Sequence, residues 1–287
     1  MKKLLFQLDT EAYPSVFDTV VGYDGGADHV IGHANVTPQN VASLVEGAIF
    51  TRAPKDKKNT AIFVGGSDLS AGQDLLNAIT KQFFANFRVS IMLDSNGSNT
   101  TAAAGVATLA ANTTLTGKKA VVLAGTGPVG QRAAVMLYNE GAKVSITSRT
   151  MNSAIAACQA IHDQYGIELE PLQASDNQQR ANAIADAHVV FASGAGGINL
   201  LDEQQWSGLP QLEMLIDANA TPILGIGGIE MMDRGVERHS KMCWGAIGFG
   251  SLKLALHRAC IKSLFETNNL ILNAEEIYAI AVKMAKI

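Results

Sequence analysis

The residues best suited to chemistry lie in one stretch, 119–150, which reads KAVVLAGTGPVGQRAAVMLYNEGAKVSITSRT. An apolar run, 120–124, meets a glycine turn, Gly125-Thr126-Gly127-Pro128-Val129-Gly130. A helical stretch and a second apolar run, 143–147, follow. Strand, turn, helix, strand is the context in which this glycine spacing signals dinucleotide binding. Gly125 suits the tight turn, Gly127 leaves room for a pyrophosphate, and Gly130 lets the helix lie close to the strand. The helix N-terminus then offers free N–H groups to the phosphates.

The end of the second run speaks to which dinucleotide. An NAD-preferring unit carries an acid there, to bond the ribose 2′-OH. This chain has Thr147-Ser148-Arg149-Thr150 instead. Two hydroxyls and a guanidinium suit a 2′-phosphate, so the expected cofactor is NADP. NAD stays possible, because nothing at this position repels it. Further along, Ser193 and Gly194 open a glycine-rich loop where a nicotinamide ribose would pass, and Asn219 follows the fifth strand of the same region.

Two other groups of polar residues stand out. Asp94-Ser-Asn96-Gly-Ser98-Asn99-Thr-Thr precedes an alanine-rich run, 102–111. It reads either as a ligand loop at a domain junction or simply as a well-capped helix start. Lys253 and His257 are four apart, on one helical face behind three glycines. A lysine in a first turn opposes the helix dipole, which invites an anionic or carbonyl-bearing ligand. On these residues alone a solvated lysine and a satisfied histidine are the preferred reading.

Composition bounds the alternatives. The 287 residues suit one large or two ordinary domains. An apolar share of 47% and a charged share of 17% fit an α/β protein with a full core. The net charge of −4, with basic residues unclustered, argues against nucleic acid as a partner. Cys158, Cys243 and Cys260 lack CxxC spacing and read as buried thiols of a reducing compartment. No apolar run is long enough to span a bilayer, and the start reads as a first strand rather than a signal peptide. The expected location is the cytoplasm, with no membrane partner. No histidine sits with cysteines or paired carboxylates at ligand spacing, so no metal is expected. No nucleophile elbow occurs, which leaves the chemistry to the nicotinamide.

The elements that must position these residues alternate strand and helix throughout. Strands are expected at 3–8, 29–34, 60–64 and 88–93, then at 120–124, 143–147, 167–172, 188–192 and 212–217. A short helix at 15–22 should turn Val16, Val20 and Phe17 inward, and Thr37-Pro38 should start another that ends near Gly47. A longer one, capped by Ser67 or Asp68, should reach about Phe84. The expected fold is two-domain α/β: an N-terminal α/β domain, 1–111 plus a returning 268–287, and a Rossmann domain, 112–267.

The segments QLDT, VFDTVVGYDGGADHVIG, NVTP, FVGGSD, MLDSNGSNTTAAAG, VLAGTGPVGQR, LGIGGI and LKLALHRACI resemble the methylene-tetrahydromethanopterin dehydrogenases of C1-oxidising, methylotrophic bacteria. The resemblance covers almost the whole chain. It implies a pterin-binding N-terminal domain, an NADP-binding Rossmann domain in an amino-acid-dehydrogenase-like arrangement, and a cleft between them. It also implies formaldehyde oxidation in the cytoplasm and a homo-oligomer, a trimer or a dimer of trimers. Residues it raises as pterin-side candidates are Asp18, Asp24, Asp94, Asn96, Ser98, Asn99, Lys253 and His257. Lys253 is expected as the main positioning contact. Asp18 is expected to bond the pterin's amino and ring N–H groups or to favour the cation electrostatically. Hydride loss from a carbon between two nitrogens needs no general base, only orientation at roughly 3–3.5 Å. Open alternatives are a methylene-tetrahydrofolate dehydrogenase, an NADP-dependent hydroxy- or keto-acid reductase, and a non-catalytic NADPH sensor.

Overall fold

A computed structural model describes residues 1–286 of the chain. By internal contacts it divides into two compact units. The first is Met1–Thr100 with Leu254–Ile280, and the second is Thr101–Lys253 with the residues from Ala281 on.

In chain order the first unit opens with β1 (Leu4–Asp9), α1 (Val16–Asp24), β2 (His29–His33), α2 (Ala42–Phe50), β3 (Thr60–Gly65), α3 (Leu69–Thr80) and β4 (Ser90–Leu93). α4 (Ser98–Asn112) follows. The second unit carries β5 (Lys119–Leu123), α5 (Pro128–Asn139), β6 (Lys143–Ser148), α6 (Met151–Tyr165), β7 (Glu170–Gln173), α7 (Asn177–Ala183) and β8 (Val189–Ala192). It continues with α8 (Glu203–Trp206), β9 (Met214–Asp217), β10 (Arg234–Arg238) and β11 (Lys241–Trp244). α9 (Ala246–Ser263), β12 (Ile271–Leu272) and α10 (Ala274–Ala285) complete the chain. The unit boundaries fall inside α4, α9 and α10 rather than in loops.

The first sheet runs β12-β4-β3-β1-β2, with every pair parallel. β3 reads Thr-Ala-Ile-Phe-Val-Gly and is buried along its length, as a parallel strand covered on both faces should be. Its core packs Leu8, Ile62, Val64 and Ile91 against Val45 and Ile49 of α2 and Leu75, Leu76 and Ile79 of α3. The second sheet runs β10-β11-β9-β8-β5-β6-β7, parallel except for the β10–β11 pair. Without β10 this is the doubly wound order, and its direction of winding reverses between β5 and β8, where such folds hold a dinucleotide.

Several local expectations need correction. Val16, Phe17 and Val20 do not point inward: Val16 is 78% and Val20 53% exposed. α1 instead turns Val21 and Gly22 to the sheet, where Gly22 lies so close to Val30 and Leu5 that a Cβ would clash. The Thr37-Pro38 segment is a turn, closed by Asn40 Oδ1 accepting from the Thr37 N–H at 2.8 Å, and the helix starts only at Ala42. The Asp68-capped helix stops at Thr80. α9 starts at Ala246, so Lys253 lies well past its first turn and the dipole argument for it lapses. The β10–β11 hairpin, β12 and α8 are elements beyond those that the sequence predicts.

Candidate active site

The dinucleotide elements assemble in the second unit as their sequence requires. Ala124 takes a left-handed φ of 51° at the end of β5. The turn is tied to β6 by two bonds: Ala124 N–H to Thr147 Oγ1 at 2.9 Å and Gly125 N–H to Thr147 O at 3.0 Å. A Cβ on Gly125 would stand 2.9 Å from both Val122 and Ile146, and one on Gly130 would stand 2.6 Å from the Gly125 Cα. A Cβ on Gly127 would meet nothing within 4 Å. Two glycines therefore serve close packing, and the third leaves backbone open to a ligand. Gly127 is the N-cap of α5 with no side-chain cap, and Pro128 sits at the first helical positions. The N–H groups of that turn are left for an anion. These features fit a pyrophosphate.

A pocket of about 400 Å³ adjoins the turn, lined among others by Thr126, Ser148, Arg149, Thr150, Arg180 and Gly194. Thr150 caps α6 by accepting the Ser153 N–H at 3.2 Å. Arg149 is exposed and makes no ion pair or hydrogen bond among the described residues. Ser193 holds its loop to the glycine turn through Oγ, which donates to Leu123 O at 3.1 Å. Val129 and Pro128 stand in the first turn of α5.

Asn219, expected among the cofactor-binding residues, lies on the loop that follows β9. It is buried, and its side chain shapes its own loop. Nδ2 donates to Ile223 O at 2.9 Å and Oδ1 accepts from Thr221 N–H at 2.8 Å. The neighbouring Asp217 is buried too, accepting from Asn219 N–H at 3.0 Å and Ile226 N–H at 3.0 Å. Burial pushes its carboxyl up, against the pull of those backbone bonds.

In the first unit the polar residues gather at the tip of β4. Asp94 is fully buried. Its Oδ1 accepts from the N–H groups of Asn99 at 2.8 Å and Thr100 at 3.1 Å, and Oδ2 accepts from the Thr100 hydroxyl at 2.6 Å. These donors belong to the first turn of α4, so the carboxylate caps that helix at its positive end. Ser98 donates to Ser95 O at 2.6 Å, and Asn99 Nδ2 donates to Leu93 O at 2.7 Å. Asn96, with φ at 55°, turns the loop and faces solvent. Asn99 Oδ1 and Ser95 Oγ are buried without a hydrogen-bond partner among the described residues.

His257, on α9, is buried beside this loop. Its ring stacks on Phe63 with centroids 5.5 Å apart and lies 6.3 Å from Phe17. Lys253 is half-buried one turn earlier on the same helix. Asp18 is half-buried in the first turn of α1. Asp24, at the other end of α1, is exposed and ion-paired with Arg258 at 2.9 Å. Phe63 and Arg180 are not among the residues that the sequence singles out. Phe63 reads as an ordinary core strand residue, and nothing around Arg180 marks it in the sequence.

The strand order, the glycine turn at the switch point and the pocket beside it define a dinucleotide-binding protein of the Rossmann class. Solved structures with the same fold include 5-ketofructose reductase from Gluconobacter sp. strain CHM43, 14% identical, covering 99% of each chain with a TM-score of 0.54. Shikimate 5-dehydrogenase from Thermus thermophilus, solved with NADP(H) and shikimate, is 13% identical, covering 99% of this chain and 100% of that one, with a TM-score of 0.51. Residues 16–96 match the N-terminal domain family of methylene-tetrahydromethanopterin dehydrogenase. The bifunctional protein MdtA of Methylorubrum extorquens is 53% identical over 286 residues, 99% of each chain. The NAD(P)-dependent methylenetetrahydromethanopterin dehydrogenase of the same organism is 28% identical over 294 aligned residues, again 99% of each chain. The chain belongs to the methylene-tetrahydromethanopterin dehydrogenase family. Among the described residues no helix is long and apolar enough to cross a membrane.

Proposed function

We propose that this chain is an oxidoreductase that takes a hydride from methylene-tetrahydromethanopterin and passes it to NADP⁺, with NAD⁺ as a weaker acceptor, in the oxidation of formaldehyde-derived C1 units. The observation that carries this reading is the N-terminal family match over residues 16–96 on a chain that also holds a dinucleotide turn followed by Arg149. The full-length likeness to MdtA supports it.

The nicotinamide, when bound, supplies the hydride acceptor. The chain has to bind, orient and shield. Gly127 and the first turn of α5 receive the pyrophosphate. Ser148, Arg149 and Thr150 receive the 2′-phosphate, and Ser193 and Gly194 line the way to the nicotinamide ribose. Asn219 acts through the loop it shapes. On the carrier, Lys253 is the main polar positioning contact, its charge kept off the developing cation. Asp18 bonds the pterin's amino and ring N–H groups. Asp94, Asn99, Ser98 and His257 form a polar floor with Asn96 at its exposed margin, and Asp24, paired with Arg258, is the remaining carrier-side candidate. The methylene carbon lies between two nitrogens, which share the positive charge once the hydride has left. No proton is removed, so no general base is required.

The 53% identical relative is named a bifunctional protein, and we propose that a second carrier accounts for a second function in this chain. Methylene-tetrahydrofolate is the related carrier that we propose for that role. We further place the protein in the cytoplasm as a homo-oligomer, a trimer or a dimer of trimers. Its three cysteines are free and buried, which supports a reducing compartment.

The test is a side-by-side assay of both carriers with NADP⁺ and NAD⁺, following the absorbance of reduced nicotinamide. Turnover is expected with methylene-tetrahydromethanopterin and NADP⁺. A chain that binds NADP⁺ and turns over neither carrier contradicts the proposal.

A further inference from the structure

Arg180 lines the same pocket as Arg149, but its surroundings are different. It sits on α7, and its guanidinium is a brace. Nε donates to Leu200 O at 2.6 Å, Nη2 donates to Asn177 Oδ1, and Nη1 reaches Ala174 O at 3.5 Å. Ala174 directly follows β7, and its N–H donates to Ser148 O at 2.7 Å. Leu200 lies beyond the glycine-rich loop that begins at Ser193, and its N–H donates to Gly225 O at 2.7 Å. One side chain thus ties together two walls of the pocket that come from separate parts of the chain. Asn177 adds a second link, donating to Asp202 Oδ2 at 3.2 Å.

The charge of Arg180 is also answered within its own unit. Burial pushes its pKa down, and the carboxylates of Asp176 and Asp202 act against that shift. Arg149 has no such partner. A phosphate would therefore gain most from Arg149, whereas the walls held by Arg180 offer Ala174, Ile198 and Leu200 as apolar surface to a flat base.

We propose that Arg180 is a positioning residue that sets affinity for the adenosine half of either dinucleotide, while Arg149 decides between NADP and NAD. This rests on the dinucleotide reading above. Lysine at 180 would keep the charge but lose the fork that reaches Leu200 and Asn177 together.

The test is calorimetric titration of the wild-type chain, Arg180→Lys, Arg180→Ala and the milder Asn177→Ala with NADP⁺, NAD⁺, 5′-AMP and nicotinamide mononucleotide. For both Arg180 variants the Kd of NADP⁺, NAD⁺ and 5′-AMP should rise together, by about tenfold, as loosened walls must be ordered on binding. Asn177→Ala should move the same three in the same direction by less. The affinity for nicotinamide mononucleotide and the kcat at saturating NADP⁺ should hold. Weakening of NADP⁺ alone would make Arg180 a phosphate contact and overturn the inference. So would a parallel fall in all four affinities and in kcat, which is what general loosening of the fold produces. Unchanged variants against a binding wild type overturn this inference alone. A wild type that binds neither dinucleotide overturns it together with the cofactor reading beneath.

Discussion

Asp94 Oδ2 lies 3.9 Å from His257 Nδ1, and the two side chains are 0% and 1% exposed. The same carboxylate holds the first turn of α4 through Asn99 and Thr100. One buried acid thus links the end of β4, the start of α4 and a histidine from α9.

Asp94→Ala should therefore destabilise the fold by about 1–3 kcal/mol, from a lost helix cap and newly unsatisfied buried donors. Urea unfolding at neutral pH reads this directly. Stability equal to wild type would mean that water or another side chain caps α4.

Lys253→Ala should lower kcat/KM for the carrier by at least about tenfold while leaving the Kd of NADP⁺ intact. An unchanged rate would remove Lys253 from the site.

Arg149→Ala should weaken NADP⁺ by about 1–3 kcal/mol, the scale of a hydrogen bond to a charged group, and leave NAD⁺ nearly unaffected. Equal weakening of both would refute the 2′-phosphate assignment. The contrast with Arg180 can be read in the same titrations.

Asp233 offers a test of stability against pH. Burial pushes its carboxyl up, but the Arg238 guanidinium and the Glu230 N–H outweigh that and hold it below the usual carboxylate range. Arg238 grips both oxygens, Nε to Oδ2 at 2.7 Å and Nη2 to Oδ1 at 2.9 Å. With the native pKa depressed, the unfolded chain takes up its proton first as the pH falls. The stabilisation is full above the unfolded value of roughly 3.9 and is lost as the pH drops through the native value. Asp233→Asn should lower stability at pH 7 and flatten the acid limb of the unfolding curve. Matching acid limbs in wild type and variant would show that the pair contributes nothing.

What could be read in the sequence was what local chemistry dictates. Gly125, Gly127 and Gly130 follow from steric demands that any such turn shares, and Asp68, one of two residues expected to cap α3, does so with a side chain that reaches its own helix. Features decided by tertiary packing were hidden. Which face of α1 meets the sheet depends on the close approach of Gly22 to Val30, so the apolar Val16 and Val20 misled. The β10–β11 hairpin turns through His239 and Ser240, both at positive φ. Such two-residue turns normally announce themselves with Asn or Gly, and these two residues give no such signal. Arg180 gains its role from Leu200, twenty residues away, a partnership no spacing rule predicts.

The central claim is direct hydride transfer from the carrier's methylene carbon, without proton exchange. It is tested most directly with methylene-tetrahydromethanopterin fully deuterated at the methylene carbon, reacted with NADP⁺ in ordinary water. The account predicts that one deuterium per turnover appears at C4 of the reduced nicotinamide and none in the solvent. Deuterium released to water, or a reduced C4 that carries two protiums and no deuterium, would contradict it.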